Sequence, residues 1–412
     1  MKKVLLLTLV FPPDAVSTAH LLGDLVEDLH QLGHQVCVLT TTPHYNQDME
    51  SEAVQPLKPF LGEFVQKSSF RGIPVYHILM PRKGQGKLIR IFAWIWFHCI
   101  SLIVGMLPRF RSDIVLSTSP PLTIGFCGGV LAKLYRGKGV YNIWELYPDV
   151  AIHTGFLKHP LLIMAMRRME SMVYRLNHHL CPIGVRMAEK IGGRGVPKEK
   201  ISIIPNAADV YGFKPMPRQN QFSCQHHLNE KFVVSYAGNL GRPQGLDTFL
   251  RAATRLKGHK DLLFVMIGDG NEKDELLELA KDLELPNFKY LGYLPYSAMP
   301  EAYAACDLSL VAQVDGIGAD AMPSKIFRIL AAGRPVLTMA DQNGDLASFV
   351  QNYKVGLLIK PGDDLEMANA ISWALKNRTE LRKMGEEGRR LMCEKYCRKS
   401  VASEYSHTFS EF

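Results

Sequence analysis

Residues 315–335 read Asp-Gly-Ile-Gly-Ala-Asp-Ala-Met-Pro-Ser-Lys-Ile-Phe-Arg-Ile-Leu-Ala-Ala-Gly-Arg-Pro and hold the densest set of groups that could do chemistry. The segment follows an apolar, strand-like run, LSLVAQ at 308–313, and opens a helical one. Gly316 and Gly318 let backbone come close to a ligand, Pro323 suits a first helical turn, and Ser324 adds a hydroxyl there. Free N–H groups at a helix start attract phosphate, and Lys325 brings a full positive charge to the same end. A cation there is unfavourable for the helix itself, so it asks for an anionic ligand; a plain surface lysine is the alternative. Gly316–Ala321 also fits G-x-G-x-x-A, and Asp341 follows 20 residues past Ala321. That is the dinucleotide fingerprint, so a nicotinamide site stays open as a second reading.

A second glycine cluster, Gly238-Asn239-Leu240-Gly241-Arg242-Pro243-Gln244-Gly245, follows the strand-like VVSYAG at 233–238. Arg242 could pair with a diphosphate there; a tight strand-to-helix turn is the bland alternative. Gly268 begins a third corner, Gly268-Asp269-Gly270-Asn271, read as a turn and helix cap that could wall the same site. Glu145 stands at the carboxyl end of a predicted strand, VYNIWEL at 140–146, where an acid can act as a base or orient a hydroxyl. His44, after a second predicted strand, is a further acceptor-side candidate. No D-x-D occurs, so the two-carboxylate magnesium grip on a nucleotide diphosphate is missing. The expected site therefore has no metal, and Lys, Arg and backbone N–H groups must meet the charge of a leaving diphosphate.

The elements that must position these groups alternate between strand and helix. Strand-like runs at 4–10, 35–41, 75–79, 113–118, 140–146 and 201–205 fill the first half. Helical spacing of Leu22, Leu25, Val26, Leu29 and Leu32 follows the first, capped by Ser17 or Thr18. A helix is predicted near 121–135 and a basic amphipathic one at about 158–176. In the second half, runs at 233–238, 262–268, 288–294, 308–313, 335–340 and 355–359 alternate with helices. Such alternation predicts an α/β chain of two doubly wound, Rossmann-like domains facing each other, with parallel sheets covered on both faces and ligands in the cleft. The domains are predicted as 1–207 and 208–389, with 207–230 as a polar linker and a C-terminal helix at about 390–412.

Length agrees with this division, since 412 residues make about two or three domains. Apolar residues are 47% and charged residues 21%, which excludes disordered, collagen-like and coiled-coil descriptions. Eight cysteines without a C-x-x-C pair fit reduced thiols in a cytosol. The net charge of +8 is concentrated: residues 1–207 hold 23 Lys and Arg against 14 Asp and Glu. That asymmetry points to an anionic surface beside the first domain, either nucleic acid or lipid headgroups. Residues 91–108 are uncharged between Arg90 and Arg109 and contain Trp94 and Trp96. They can span a bilayer, form a buried crossover helix, or lie in the membrane interface, where indoles and the flanking Arg82, Lys83, Lys87, Arg90, Arg109 and Arg111 would favour them.

With these residues in view, the chain resembles the family-4 glycosyltransferases of the GT-B fold over nearly its whole length. Phe11-Pro12-Pro13 resembles the family's Tyr/Phe-Pro-Pro, and Pro205-Asn206 its Pro-Asn. Gly238-Asn239, Met322–Phe327 and Ala331–Pro335 resemble the subgroup that builds O-antigen and capsule units, including N-acetylfucosamine transferases. The resemblance implies a nucleotide sugar held by the second domain as substrate, with no cofactor. It implies an acceptor on the first domain, beside Pro13, Ser17 and His44. It also implies transfer with retention, no metal, and a C-terminal helix that crosses back to the first domain. Asn239 and Gln244 stand where many members carry Arg and Lys. Asp320 and Arg328 stand at the family's two glutamates, and Arg328 cannot accept hydrogens from ribose hydroxyls. Val16-Ser17 replaces the usual Gly-Gly. The leading expectation is a hexosyl- or N-acetylhexosaminyltransferase for bacterial surface polysaccharide, acting on a lipid-linked or glycan acceptor. It would be cytoplasmic and peripheral on the inner face of an anionic membrane, without nucleic acid. A non-catalytic carbohydrate- or partner-binding protein, or a sugar-nucleotide epimerase, is the alternative.

Overall fold

The structure, a computed structural model, describes residues 1–14, 16–44, 53–80 and 87–412. Arg82 and Lys83 lie outside the described residues, as do the side chains of Lys87 and Arg90. The chain divides into two units, Met1–Pro205 with Arg398–Phe412, and Asn206–Cys397.

The first unit carries a sheet of β1 (Lys3–Leu7), β2 (Gln35–Thr41), β3 (Lys58–Leu61), β4 (Val65–Phe70), β5 (Ile73–Ile78), β6 (Ile114–Thr118), β7 (Lys138–Ile143) and β8 (His179–Pro182). Their order is β3-β4-β5-β2-β1-β6-β7-β8. The six strands from β5 to β8 in that order are parallel; Val4 pairs with Val36 on one side and Ile114 on the other. Val4–Leu7 and Ile114–Thr118 are buried throughout, the continuous pattern of strands covered on both faces. The sheet is not purely parallel. β3 and β4 run antiparallel at one edge, and β4 joins β5 through Arg71 and Gly72, both at positive φ (48° and 85°). That is the two-residue turn that follows strand twist, here without the Asn-Gly or Asp-Gly signal.

The predicted strand at 201–205 forms only an isolated bridge, Ile201 to Leu180. The edge strand is instead β8. Ser202 N–H and Ile204 N–H donate to the Leu180 and Pro182 carbonyls, both at 3.0 Å, and Pro182 has no N–H to return. The first helix, Ser17–Gln31, starts with Val16 as its cap residue, so neither Ser17 nor Thr18 caps it.

Helices Lys87–Gly105, Leu122–Tyr135 and Pro160–Leu176 make successive crossovers in one direction along the sheet, which places all three on one face. The middle one is wedged between the others. Thr123 Oγ1 lies 2.9 Å from His98 Nε2, and Asn177 Nδ2 donates to the Gly125 carbonyl at 2.9 Å. Gly125 and Gly129 let Val173 and Leu176 approach; a Cβ at either would meet them at 2.7 Å. Among the described residues no helix is long and apolar enough to cross a membrane. On the other face, Arg398 of the helix Arg398–Ser410 bonds Asp24 (3.0 Å), Glu27 (2.6 Å) and Asp28 (2.8 and 2.9 Å) of helix Ser17–Gln31.

The second unit has a six-stranded, wholly parallel sheet: β9 (Phe232–Ala237), β10 (Leu262–Ile267), β11 (Phe288–Tyr290), β12 (Leu308–Ala312), β13 (Val336–Met339) and β14 (Gly356–Ile359). Its order is β11-β10-β9-β12-β13-β14. Phe249 packs edge-on to Phe264 at 5.0 Å in its core. Residues 207–230, expected as a linker, are fastened to this unit: Arg218 makes a two-pronged contact to Asp307 at 2.8–3.1 Å, and Arg389 Nη1 donates to the carbonyls of Val210, Phe213 and Ala331. The expected C-terminal helix is two helices, Arg378–Glu394 and Arg398–Ser410, and the units divide between them.

Candidate active site

In an open parallel sheet, ligands bind beyond the carboxyl ends of strands where the order reverses. In the second unit that point lies between β9 and β12, which pair directly although β10 and β11 lie between them in sequence. Two of the sequence-predicted segments leave the sheet there: 238–245 after β9 and 313–325 after β12. Val314 N–H donates to the Pro243 carbonyl at 2.9 Å and joins them.

Lys325 is the first residue of the short helix Lys325–Ala331, with Ser324 as cap residue. The helix begins later than the fingerprint Gly316–Ala321 requires, because that segment is turns and extended backbone. The Nζ of Lys325 is buried, lacks a hydrogen-bond partner, and sits 3.8 Å from the centroid of the Tyr236 ring. Burial lowers its pKa from the ordinary lysine value to about 7. Gly238 makes the space: φ there is +146°, and a Cβ would meet Nζ at 2.5 Å. Tyr236 is held by its hydroxyl, which donates to the Asn239 carbonyl at 2.6 Å.

Arg328 lies one turn on. Its guanidinium carbon is 4.8 Å from the Tyr296 ring centroid and 5.7 Å from that of Phe213, and its Nη2 is buried without a hydrogen-bond partner. Two cationic heads on one helix thus keep unsatisfied donors, an arrangement that costs stability unless an anion or acceptor arrives.

The remaining predicted residues divide by position. Arg242 is exposed and opens the turn Arg242–Gln244; Asn239 is also exposed, with Nδ2 close to where a side chain on the buried Gly241 would begin. Gly316 is exposed with φ +83°, and Pro323 and Ser324 are half-buried beside Lys325. Gly268 packs backbone on backbone, since a Cβ there would meet the Gly238 carbonyl oxygen at 1.9 Å. It buttresses the corner rather than lining it. Gly318 is pressed against Gly344, with a Cβ contact of 2.9 Å to its Cα, and Asp320 is completely buried. Neither presents a surface to a ligand, so the expectation that they touch a donor fails on burial.

Sequence reasoning missed Gln313, the first residue beyond β12. Its Nε2 donates to the Ala321 carbonyl at 2.9 Å, which holds the 313–321 loop, while its buried Oε1 has no partner. A polar residue at a strand's carboxyl end was the signal used for Glu145, and it applied here too.

In the first unit, Glu145 follows β7. Ser119 fixes its backbone: Ser119 Oγ donates to the Glu145 carbonyl at 3.1 Å and accepts from Trp144 N–H at 3.0 Å. Protein crowds the Glu145 carboxyl enough for burial to raise its pKa, opposed by a hydrogen bond from Tyr147, although part of the residue meets solvent. Asp149, nearby in sequence, is structural. Arg167, Lys190 and Arg194 bond it at 2.6–3.1 Å and hold its carboxyl far below the usual range against the cost of burial. His44 is buried, its N–H donating to Asp14 Oδ2 at 3.1 Å and its Nδ1 3.0 Å from Thr41 Oγ1. It ties the loop after β2 to the loop containing buried Pro13, while Ser17 opens the first helix. Among the described residues no group of three or more His, Cys, Asp or Glu is placed to hold a metal ion.

Comparison with known proteins accords with this geometry. The family described as Glycosyl transferases group 1 matches residues 218–391, and Glycosyl transferase 4-like domain matches residues 18–207. The probable glycosyltransferase WbjE of Pseudomonas aeruginosa is 27% identical over 295 residues, covering 71% of this chain and 73% of its own. The putative colanic acid biosynthesis glycosyl transferase WcaI of Escherichia coli K12 is 24% identical over 400 residues, 93% of this chain and 95% of its own. Among solved structures, Anabaena Alr3699/HepE in complex with UDP-glucose superposes with a TM-score of 0.76 at 15% identity, each chain covered completely. The two matched regions together take in most of the sequence, and the chain belongs to the family-4 glycosyltransferases of the GT-B fold.

Proposed function

We propose that this glycosyltransferase moves a sugar from a nucleoside-diphosphate sugar to a lipid-linked or polysaccharide acceptor during assembly of a bacterial surface polysaccharide, with retention and without a metal ion. The observation that carries the reading is the buried, unpartnered Nζ of Lys325 beside Gly238 at the reversal point of the second sheet. As an acceptor hydroxyl oxygen bonds to the anomeric carbon, the bond from that carbon to the diphosphate breaks, negative charge collects on the leaving group, and the hydroxyl's proton passes to a departing phosphate oxygen. A lysine held in a low-dielectric pocket, protonated as the anion arrives, stabilises that charge more than it would in water. Arg242 adds charge from the exposed turn. Gly238, Asn239 and Gly316 leave backbone accessible to the pyrophosphate, with Pro323 and Ser324 beside it, whereas Gly241 is itself buried. Arg328 donates to an acceptor atom of the nucleotide, a role that a glutamate could not fill. In the first unit, Glu145 orients a hydroxyl, and the Pro13, Ser17 and His44 loops border the acceptor.

The name of WcaI, with its colanic acid biosynthesis, and the UDP-glucose bound to the Anabaena structure support a polysaccharide pathway and a nucleotide-sugar donor. Titration of the wild-type protein and Lys325→Ala with UDP and GDP, in chelator, tests the reading. Binding of one diphosphate by the wild type and its loss in the variant is the expected result. Equal binding by both proteins, or binding only with added magnesium, would overturn it.

A further inference from the structure

The first unit exposes large apolar side chains in three separate places. Helix Lys87–Gly105 presents Phe92, Trp94, Ile95, Trp96 and Ile103 to solvent, with Phe92 70% exposed, and no charged residue lies between Phe92 and Pro108. Phe64, in the turn between β3 and β4, sets its ring 6.0 Å from that of Trp96, and the neighbouring Leu79 is also exposed. Phe156, 78% exposed, leads into helix Pro160–Leu176, which adds Leu161, Leu162 and Met164.

These places share one edge. Both helices follow parallel strands and run back against them, so their amino-terminal halves lie at the strands' carboxyl edge. Phe64 and Leu79 flank the carboxyl end of β5. Glu145 leaves β7 on that same edge.

The charge beside them has one sign. Lys158, Arg168 and Arg175 are exposed on 156–176. The segment's one acid, Glu170, is buried and bonded by Arg167, Arg194 and Tyr174. A second copy of the chain would set these cations against each other, whereas anionic headgroups would neutralise them. Indoles and a charge-free helix face suit the level where headgroups meet acyl chains.

We infer that the carboxyl edge of the first unit's sheet docks on an anionic lipid surface, through Phe64, Phe92, Trp96, Phe156 and Leu161, with Lys158 and Arg168 on headgroups. This deepens the reading of a lipid-linked acceptor: its headgroup would be met at the same edge as Glu145.

Flotation of the full chain tests it, with vesicles of phosphatidylcholine alone and of phosphatidylcholine with phosphatidylglycerol. The expected result is flotation with the mixed vesicles, weakened by salt, and at least about tenfold weaker partitioning for Phe92→Ser/Trp96→Ser and for Lys158→Glu/Arg168→Glu. Absence of flotation with the mixed vesicles, or wild-type flotation by both variants, would overturn the proposal. So would a wild-type dimer that Phe92→Ser/Trp96→Ser dissociates while vesicles have no effect. UDP titration of the same proteins separates the two readings, because diphosphate binding in the second unit does not depend on docking.

Discussion

The Nζ of Lys325 lies 3.8 Å from the centre of the Tyr236 ring with no hydrogen-bond partner. The ring face offers a cation partial compensation without satisfying its three donors. The lysine is therefore held in place yet left available. Truncation to Ala should lower turnover by about 10²–10³-fold if charge on the leaving diphosphate is the main barrier. Steady-state kinetics on a folded Lys325→Ala protein decide this; unchanged turnover would remove the lysine from the chemistry.

The same burial makes diphosphate binding depend on pH. Because burial places the Lys325 pKa at about 7, the free protein loses the binding-competent charge as pH rises through that value. Affinity for UDP or GDP should be flat below it and fall by up to about tenfold per unit above it. Isothermal titration between pH 6 and 9, in buffers of differing ionisation enthalpy, should also register proton uptake on binding. For stability the sign is opposite. A lysine whose folded pKa is depressed makes the unliganded fold more stable as pH rises from about 7 toward its ordinary value, since the unfolded chain binds the extra proton. Lys325→Met should flatten that rise.

Gly238 tests the geometry by addition instead of removal. A methyl group there would enter the space of Nζ, at a backbone φ of +146° that other residues rarely adopt. Gly238→Ala should cost about 1–3 kcal/mol in stability and displace the lysine, weakening diphosphate binding. Gly268→Ala should be the more damaging to folding, because its Cβ would strike the Gly238 carbonyl rather than a movable side chain. Thermal denaturation of both variants, with and without UDP, gives the comparison.

Glu145 belongs to a different unit from Lys325, so the two should separate kinetically. Glu145→Gln should leave UDP affinity within about twofold and lower turnover by about 10²-fold. A parallel loss of UDP affinity would contradict this division.

The Arg398 contacts predict an acid-sensitive fold. Burial opposes ionisation of Glu27, but hydrogen bonds from Arg398 and Arg71 prevail and hold its pKa below the usual value. Stability from this group is thus present above the ordinary carboxylate range and is lost as pH falls through the depressed value. Arg398→Ala should cost about 3 kcal/mol at neutral pH by leaving Asp24, Glu27 and Asp28 crowded with only Arg71 facing the first two. The cost should shrink below about pH 4. Urea melts across that range would show it.

The parallel strands were legible because burial on both faces writes itself as an unbroken apolar run, so Gln35–Thr41 and five strands of the second unit were located closely from sequence, whereas half-buried β11 stops at Tyr290, short of the predicted 294. The β3–β4 edge was not legible. One face of β4 meets solvent, its sequence VQKSSF carries little apolar signal, and its turn uses Arg71. At the candidate site, Lys325 and Gly238 were legible as residues, but their mutual contact was not, since β12 lies beside β9 only after the sheet order reverses. Glycines 268 and 318 misled for a related reason: a residue without a side chain signals close approach, not whether a ligand or the Gly238 or Gly344 backbone is approaching.

The placement of Arg398–Phe412 with Met1–Pro205 bears on synthesis. A ribosome extruding this chain has delivered every residue of Asn206–Cys397 before it delivers the cation that neutralises Asp24, Glu27 and Asp28. The half begun first is therefore finished last, and until then its opening helix carries an acidic stripe that Arg71 meets only at Asp24 and Glu27.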